Sequence, residues 1–247
     1  MIVPTLAVHL SDGILIWPWL LLGFAASACL VAGASMRIAD EEIPRIGLLT
    51  AAFFVASLIH VRVGPTSVHL LFNGLVGIVL GGRAVLAIAV GLLLQAFLLG
   101  HGGYYTLGLN CCIIAIPALF ARPIFRRLSG TNRYPSFRYR DGGLALATIL
   151  YPLLTLPLLF AVALGIRRQW QWSSDADFRA GFAVGAGCVS ATAILNALLL
   201  VVAGTEDWHV VAVLVLAAHI PIAFIEGLIV GCTASFLRRV KPEMLGA

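Results

Sequence analysis

The chain reads as an all-α integral membrane protein: a bundle of seven transmembrane helices plus one extra kinked apolar segment, for which an eighth span is the alternative. Three observations predict this. Of its 247 residues, 61% are hydrophobic and 11% charged, whereas a soluble domain carries roughly 25% charged residues. Several uncharged runs reach about 18 to 25 residues, enough to cross a hydrocarbon core at 1.5 Å per helical residue. Arginine gathers in a few loops, the mark of the cytoplasmic side. The net charge of +5 is therefore not a nucleic-acid signal, and lipid is the expected surround. Residues 1–247 form one polytopic membrane domain.

The first run, Ile14 to Met36, follows Ser11 and Asp12, either of which is an N-cap candidate, with Gly13 adjacent. A charged loop, Arg37 to Arg45, contains Pro44 and precedes the second run, Gly47 to Ile59. His60 to His69 is a polar connection broken by Gly64 and Pro65. The third run, Leu70 to Leu80, and the fourth, Ala84 to Leu99, are separated by Gly81-Gly82-Arg83. Both are short for lipid-facing spans, so tilt or burial inside the bundle accommodates them. After the loop His101 to Tyr105, a fifth run goes from Leu107 to Ala121. The basic loop 122–140 follows, with six arginines. Apolar residues 142–166, a mixed loop, the runs 179–203 and 208–237, and the basic end Arg238, Arg239 and Lys241 complete the chain.

Placing the six-arginine loop in the cytoplasm and counting back through five runs puts the N-terminus and the 60–69 connection outside. Counting forward, three further spans would leave the basic C-terminus outside. One segment therefore does not cross. The expected one is 142–166, which holds Pro152 and Pro157 and is flanked by arginine on both sides. A kinked hairpin on the cytoplasmic face, shielded by protein, restores the parity.

Val8-His9-Leu10-Ser11-Asp12-Gly13 lies just outside the first run, where lipid packing gives no reason for such residues. The count puts His9 and His69 on one external face. Neutral imidazole is the commonest protein metal ligand, so the two form a candidate pair. His219 and Glu226, seven apart on one helix face, are ionisable groups inside the membrane and transport-related by default. They are expected at the middle of the membrane or in its other half, and not as ligands. Asn110, at the outer start of the fifth run, orients a ligand or caps a helix. Gly23, Ser27 and Val31, and Gly181, Gly185 and Ala186, allow close helix approach. The five cysteines all lie in apolar runs, form no C-x-x-C pair, and read as small buried hydrophobes. The chain contains no G-x-x-x-x-G-K-[ST], H-E-x-x-H or G-x-S-x-G, which argues against ATP hydrolysis and hydrolase chemistry on this chain.

His9-Leu10-Ser11-Asp12-Gly13 resembles the Met-His-Ile-Pro-Asp-Gly opening of the CbiM/NikM family. The likeness continues at Gly64-Pro65-Thr66-Ser67-Val68-His69-Leu70, at Gly100-His101-Gly102-Gly103 with Leu107-Gly108-Leu109-Asn110, and at His219-Ile220-Pro221 with Ile225-Glu226-Gly227-Leu228. It covers residues 8–127 and 179–241 and leaves 128–178 as a basic loop with an inserted segment. The resemblance implies a substrate-capture subunit of an energy-coupling-factor importer in the bacterial cell membrane, linked to cobalamin biosynthesis. It takes up Ni(II) or Co(II) as transported substrate, with no permanent cofactor and no enzymatic activity of its own. Implied partners are a transmembrane coupling subunit, two ATPase subunits and, in some assemblies, a small membrane accessory subunit. Alternatives of other classes are a self-sufficient divalent-metal permease and a membrane enzyme. The family's site uses the N-terminal amine, the next backbone nitrogen, that residue's imidazole and a second histidine, which match Val8, His9 and His69. Ser67, Asp12, His101 and Asn110 are supporting candidates. Three departures stand out. His101 replaces an acidic residue, Ile59 replaces an asparagine, and the chain starts seven residues before Val8. The mature N-terminus is therefore expected at position 8, through an alternative start at Val8 or cleavage after Ala7.

Overall fold

The computed structural model of the protein describes residues 6–7, 9–63, 66–129 and 176–245. Seven α-helices are found there: α1 (Trp17–Ser35), α2 (Ile43–Ser57), α3 (Asn73–Leu80), α4 (Ala84–Leu94), α5 (Leu107–Ser129), α6 (Ala176–Ala203) and α7 (His209–Val240). Five helical stretches are long and apolar enough to cross a membrane, with residues 73–99 counted as one of 27 residues. That stretch is not one straight rod. At 1.5 Å per residue it would be about 40 Å long and would hold His69 and His101 at opposite ends. Their rings lie 6.2 Å apart. The chain reverses at Gly81, whose φ of +58° suits only glycine, so α3 and α4 are the arms of a hairpin, as the separate third and fourth runs implied.

The bundle has two ends. Arg83, in that hairpin turn, donates to the carbonyls of Ala34 in the last turn of α1 and of Met36 and Arg37 just after it. Arg122 on α5 donates to those of Ile78 and Val79 at the end of α3. Arg238 on α7 donates to Asp177 at the start of α6 and to Ser129 at the end of α5. These contacts define an arginine end. The segment 142–166 lies outside the described residues, but its flanks Ser129 and Asp177 both meet Arg238, so the chain leaves and re-enters the bundle at the same end. The basic stretch is less of a loop than expected. α5 runs on to Ser129 with Arg126 and Arg127 in its last turn, because arginine is a good helix former and its cation suits a helix C-terminus.

The opposite, histidine end differs from an all-helical expectation. Residues 60–69 are not a loop but the strands β2 (His60–Val63) and β3 (Thr66–His69), paired antiparallel, and β1 (Leu6–Ala7) pairs parallel with β3. The order in this small sheet is β1-β3-β2. β-branched valine and threonine in both strands favour extension. α1 starts at Trp17 with Ile16 as its cap and Pro18 in its first turn; neither Ser11 nor Asp12 caps it. The small residues marked in the sequence are at helix crossings. A Cβ at Gly185 would lie 2.9 Å from the Glu226 carbonyl oxygen, and one at Gly181 would lie 2.8 Å from that of Val230, so α6 and α7 meet backbone to backbone.

Candidate metal centre

His9 and His69 come together at the histidine end. Each is only 1% exposed, and their Nε2 atoms are 3.0 Å apart. That distance is a hydrogen bond between the two rings.

The proton positions follow from the partners. His69 Nδ1 lies 2.9 Å from the Leu70 carbonyl oxygen, which only accepts, so Nδ1 of His69 carries the hydrogen and its Nε2 is a bare lone pair. His9 Nε2 must then donate to it, which leaves His9 Nδ1 bare. That atom is buried and has no hydrogen-bond partner among the described residues. Burial first, then the neighbouring imidazoles of His69 and His101, hold the His9 imidazole well below its usual range. It stays neutral, the state that ligates metals. A bare Nδ1 is also the nitrogen that closes a six-membered chelate ring with the residue's own backbone nitrogen.

The surrounding elements fix these rings. Asn110 accepts the Leu10 N–H at 2.8 Å and donates to the Leu10 carbonyl at 3.0 Å, holding the residue after His9 as a strand partner would. Asn110 lies inside α5 and does not cap it. Asp12 accepts the N–H groups of Tyr104, Tyr105 and Thr106 at 3.0, 2.9 and 3.1 Å. Its carboxylate thus latches the 101–106 loop just before α5. Gly103 leaves room for it, since a Cβ there would lie 1.9 Å from Asp12 Oδ1, and Gly102 (φ +73°) passes beside His9. His101 is carried on this loop with its ring nearly parallel to that of His69, at an interplanar angle of 8°. Ser67 pairs through its backbone with Ala7 and Arg62 in the sheet. Val8 lies outside the described residues.

Glu226 lies at the midpoint of α7 (His209–Val240), the membrane-interior position expected of it. It reaches the backbone just after His69, accepting the N–H of Leu71 and that of Phe72 at 3.1 and 3.0 Å. Phe72 has a φ of +51°, a conformation that costs a non-glycine residue about 1–2 kcal/mol, and Glu226 anchors that turn. His219 lies two helical turns outward on the same face, nearer the histidine end than expected and within electrostatic reach of His9. One neighbour gave no sequence signal. Gln95 opens a π-turn, Gln95–Leu99, after α4, and its fully buried amide interacts with His9. A lone glutamine in an apolar run carries no pattern, and the π-turn that aims it inward is visible only in three dimensions.

Among the described residues, no group of three or more His, Cys, Asp or Glu side chains is arranged to hold a metal. The resemblance implies backbone and N-terminal nitrogens as the further donors.

Known proteins are similar to this chain. The profile of the CbiM family, "Cobalt uptake substrate-specific transmembrane region", matches residues 9–163 and 139–244. A "Putative metal transport protein" of Haemophilus influenzae is 30% identical over 96% of both chains. A "Putative fused cobalt transport protein CbiMQ" of Methanocorpusculum labreanum is 24% identical over 96% of this chain and 36% of its own. The crystal structure of a transition metal transporter shares the fold with a TM-score of 0.66 at 18% identity, covering 94% of this chain and 93% of that one. The chain is a multi-pass membrane protein of metal transport and belongs to the CbiM family.

Proposed function

We propose that the chain is the substrate-capturing membrane subunit of an energy-coupling-factor importer, binding Ni(II) or Co(II) at His9 and His69. The single observation that carries this reading is the buried, bare Nδ1 of His9 on a ring packed against that of His69. Val8 supplies the amine, His9 its backbone nitrogen and Nδ1, and His69 its Nε2. Four nitrogens in a plane suit Ni(II). Asp12, Asn110, Ser67 and His101 hold these donors in place. The seven described helices serve as the spans. The histidine end faces outside, and the arginine end with the C-terminus faces the cytoplasm, in line with the excess of arginine there. The printed name of the fused CbiMQ relative supports a separate transmembrane coupling subunit as partner. ATP hydrolysis falls to two further subunits.

The test combines intact-mass analysis of protein from its native host with titration by NiCl2 and CoCl2. The expected mature chain begins at position 8, binds one equivalent and prefers Ni(II). A mature chain that retains residues 1–7 and binds equally tightly would remove the amine from the site. Transport in vesicles holding this chain alone, with no ATPase, would overturn the importer assignment.

A further inference from the structure

We propose that Arg45 and Arg122 form a site at the arginine end for the phosphate of an anionic phospholipid headgroup. A cavity of about 60 Å³ lies there, lined among the described residues by Glu42, Arg45, Arg83 and Arg122, with the apolar Val79 and Leu80 beside them. A water molecule needs about 10–15 Å³ of such space, so the oxygens of a phosphate group fit. The three arginines are not equivalent. Arg83 donates from all its nitrogens, to Glu42 and to the carbonyls of Ala34, Met36 and Arg37, so its N–H groups are filled. Arg122 donates from Nε to the Ile78 carbonyl and from Nη2 to that of Val79, and its Nη1 donates to no described residue. Arg45 donates to none at all.

Glu42 is the one carboxylate on the cavity among the described residues, and it already pairs with Arg83 at 3.1 Å and with the Ala39 N–H. Two cations with unfilled N–H groups therefore share one small space, an arrangement that repels itself until an anion joins it. Arg45 also stands in the first turn of α2, where a cation opposes the helix dipole. Arg122 is held in place by its two carbonyls and by Gly81, where a Cβ would lie 2.9 Å from Nη1. Guanidinium groups offer planar, paired N–H donors that match phosphate oxygens. The surroundings indicate the source of that phosphate. Ile43 and Leu48 flank Arg45 on α2, and Ile124 follows Arg122 on α5; they are 56%, 64% and 44% exposed. Outward-facing apolar side chains beside the cations suit acyl chains, which a soluble phosphate lacks. Basic pockets between spans on the cytoplasmic side recognise such headgroups.

The test is native mass spectrometry of the full chain in detergent, titrated with dioleoylphosphatidylglycerol. Dioleoylphosphatidylcholine, whose choline cation the arginines repel, is the comparison. Size exclusion checks the fold, which Arg45→Gln should preserve because Arg45 bonds to no described residue. The parent is expected to bind one phosphatidylglycerol at least about tenfold more tightly than phosphatidylcholine. Arg45→Gln should lose at least about fivefold in phosphatidylglycerol affinity, the effect of one arginine at an anionic headgroup, with phosphatidylcholine binding unchanged. Arg127→Gln removes an exposed arginine at the same end that does not line the cavity, and should stay within about twofold of the parent. Equal affinity for the two lipids, or equal losses in the two variants, overturns the site and reduces this end to a general surface charge. Excess sodium phosphate should leave the phosphatidylglycerol bound, and its release by phosphate overturns the lipid as the source. Neither variant touches His9 or His69, so these outcomes are read independently of metal binding.

Discussion

Arg83, Arg122 and Arg238 at one end of the bundle all donate to carbonyl, carboxylate or hydroxyl oxygens of neighbouring elements. At the other end, His9 Nδ1 and His219 Nε2 are buried without a hydrogen-bond partner among the described residues. The contrast separates two jobs. A satisfied cation fastens helices together, and its loss costs stability. A buried lone pair without a partner costs stability, and a ligand that engaged it would recover that cost. Substitutions at the two ends should therefore move different observables.

The largest effect is expected at the histidine end. His69→Ala removes one of four proposed donors and should weaken Co(II) binding about a thousandfold, about 4 kcal/mol. The metal-free protein should still fold, with a melting temperature lowered by a few degrees, because the buried ring also bonds to the Leu70 carbonyl and lies beside His9 and His101. A large fall in melting temperature with binding retained would assign His69 to the packing.

The next effect belongs to the arginine end. Asp177 and Arg238 are an ion pair with side chains 3% and 14% exposed. Asp177→Ala leaves a buried guanidinium with only Ser129, and breaking such a pair costs about 3 kcal/mol. Thermal unfolding should shift down by several degrees while Co(II) affinity stays within twofold. Asp177→Leu with Arg238→Met should recover part of the loss, since apolar replacement of both partners is often neutral. A change in metal affinity would mean that the two ends are coupled.

The sequence carried the two ends unequally. Arginine positions and run lengths made the helices, the hairpin at Gly81 and the return of the chain at Ser129 and Asp177 legible, because charge and hydropathy act along the chain. His9 and His69 were legible as a pair through topology and family likeness. The small sheet was not, since strands of two to four residues fall below any useful period. The backbone partner of Glu226 was not legible for a related reason. Seven residues along a helix fix a face, but not which loop folds down to meet it, and here the 70–72 turn descends to the carboxylate. Gln95 had no signal at all. Asp12 was read as a cap for α1, yet it bridges to the start of α5, a contact between residues more than ninety positions apart.

That latch supplies a smaller test. Gly103→Ala would place a Cβ 1.9 Å from Asp12 Oδ1 and push the loop away from the N-terminal stretch. Co(II) affinity should fall about tenfold, or 1.4 kcal/mol. Gly187→Ala, where a Cβ meets nothing within 4 Å, is the control and should leave binding unchanged. An unaffected Gly103→Ala would show that the 101–106 loop does not position His9.

The smallest effect returns to the arginine end. Glu42 accepts the Ala39 N–H at 3.1 Å and pairs with Arg83 at 3.1 Å. The backbone hydrogen bond first, then Arg83, lower its pKa below the ordinary carboxylate value. A carboxyl group with a depressed folded value stabilises the protein above its unfolded pKa of 4.5, and that contribution is lost as pH falls through the folded value. The Glu42 side chain is 41% exposed, so solvent screening keeps the gain well under about 1 kcal/mol. Glu42→Gln should therefore melt slightly below the parent at pH 6, and the two curves should converge as pH is lowered toward 3. Added salt should narrow the gap at pH 6. A gap that persists at pH 3 would assign the effect to packing or to the amide itself rather than to the charge, and this end of the bundle would then owe less to electrostatics than its arginines suggest.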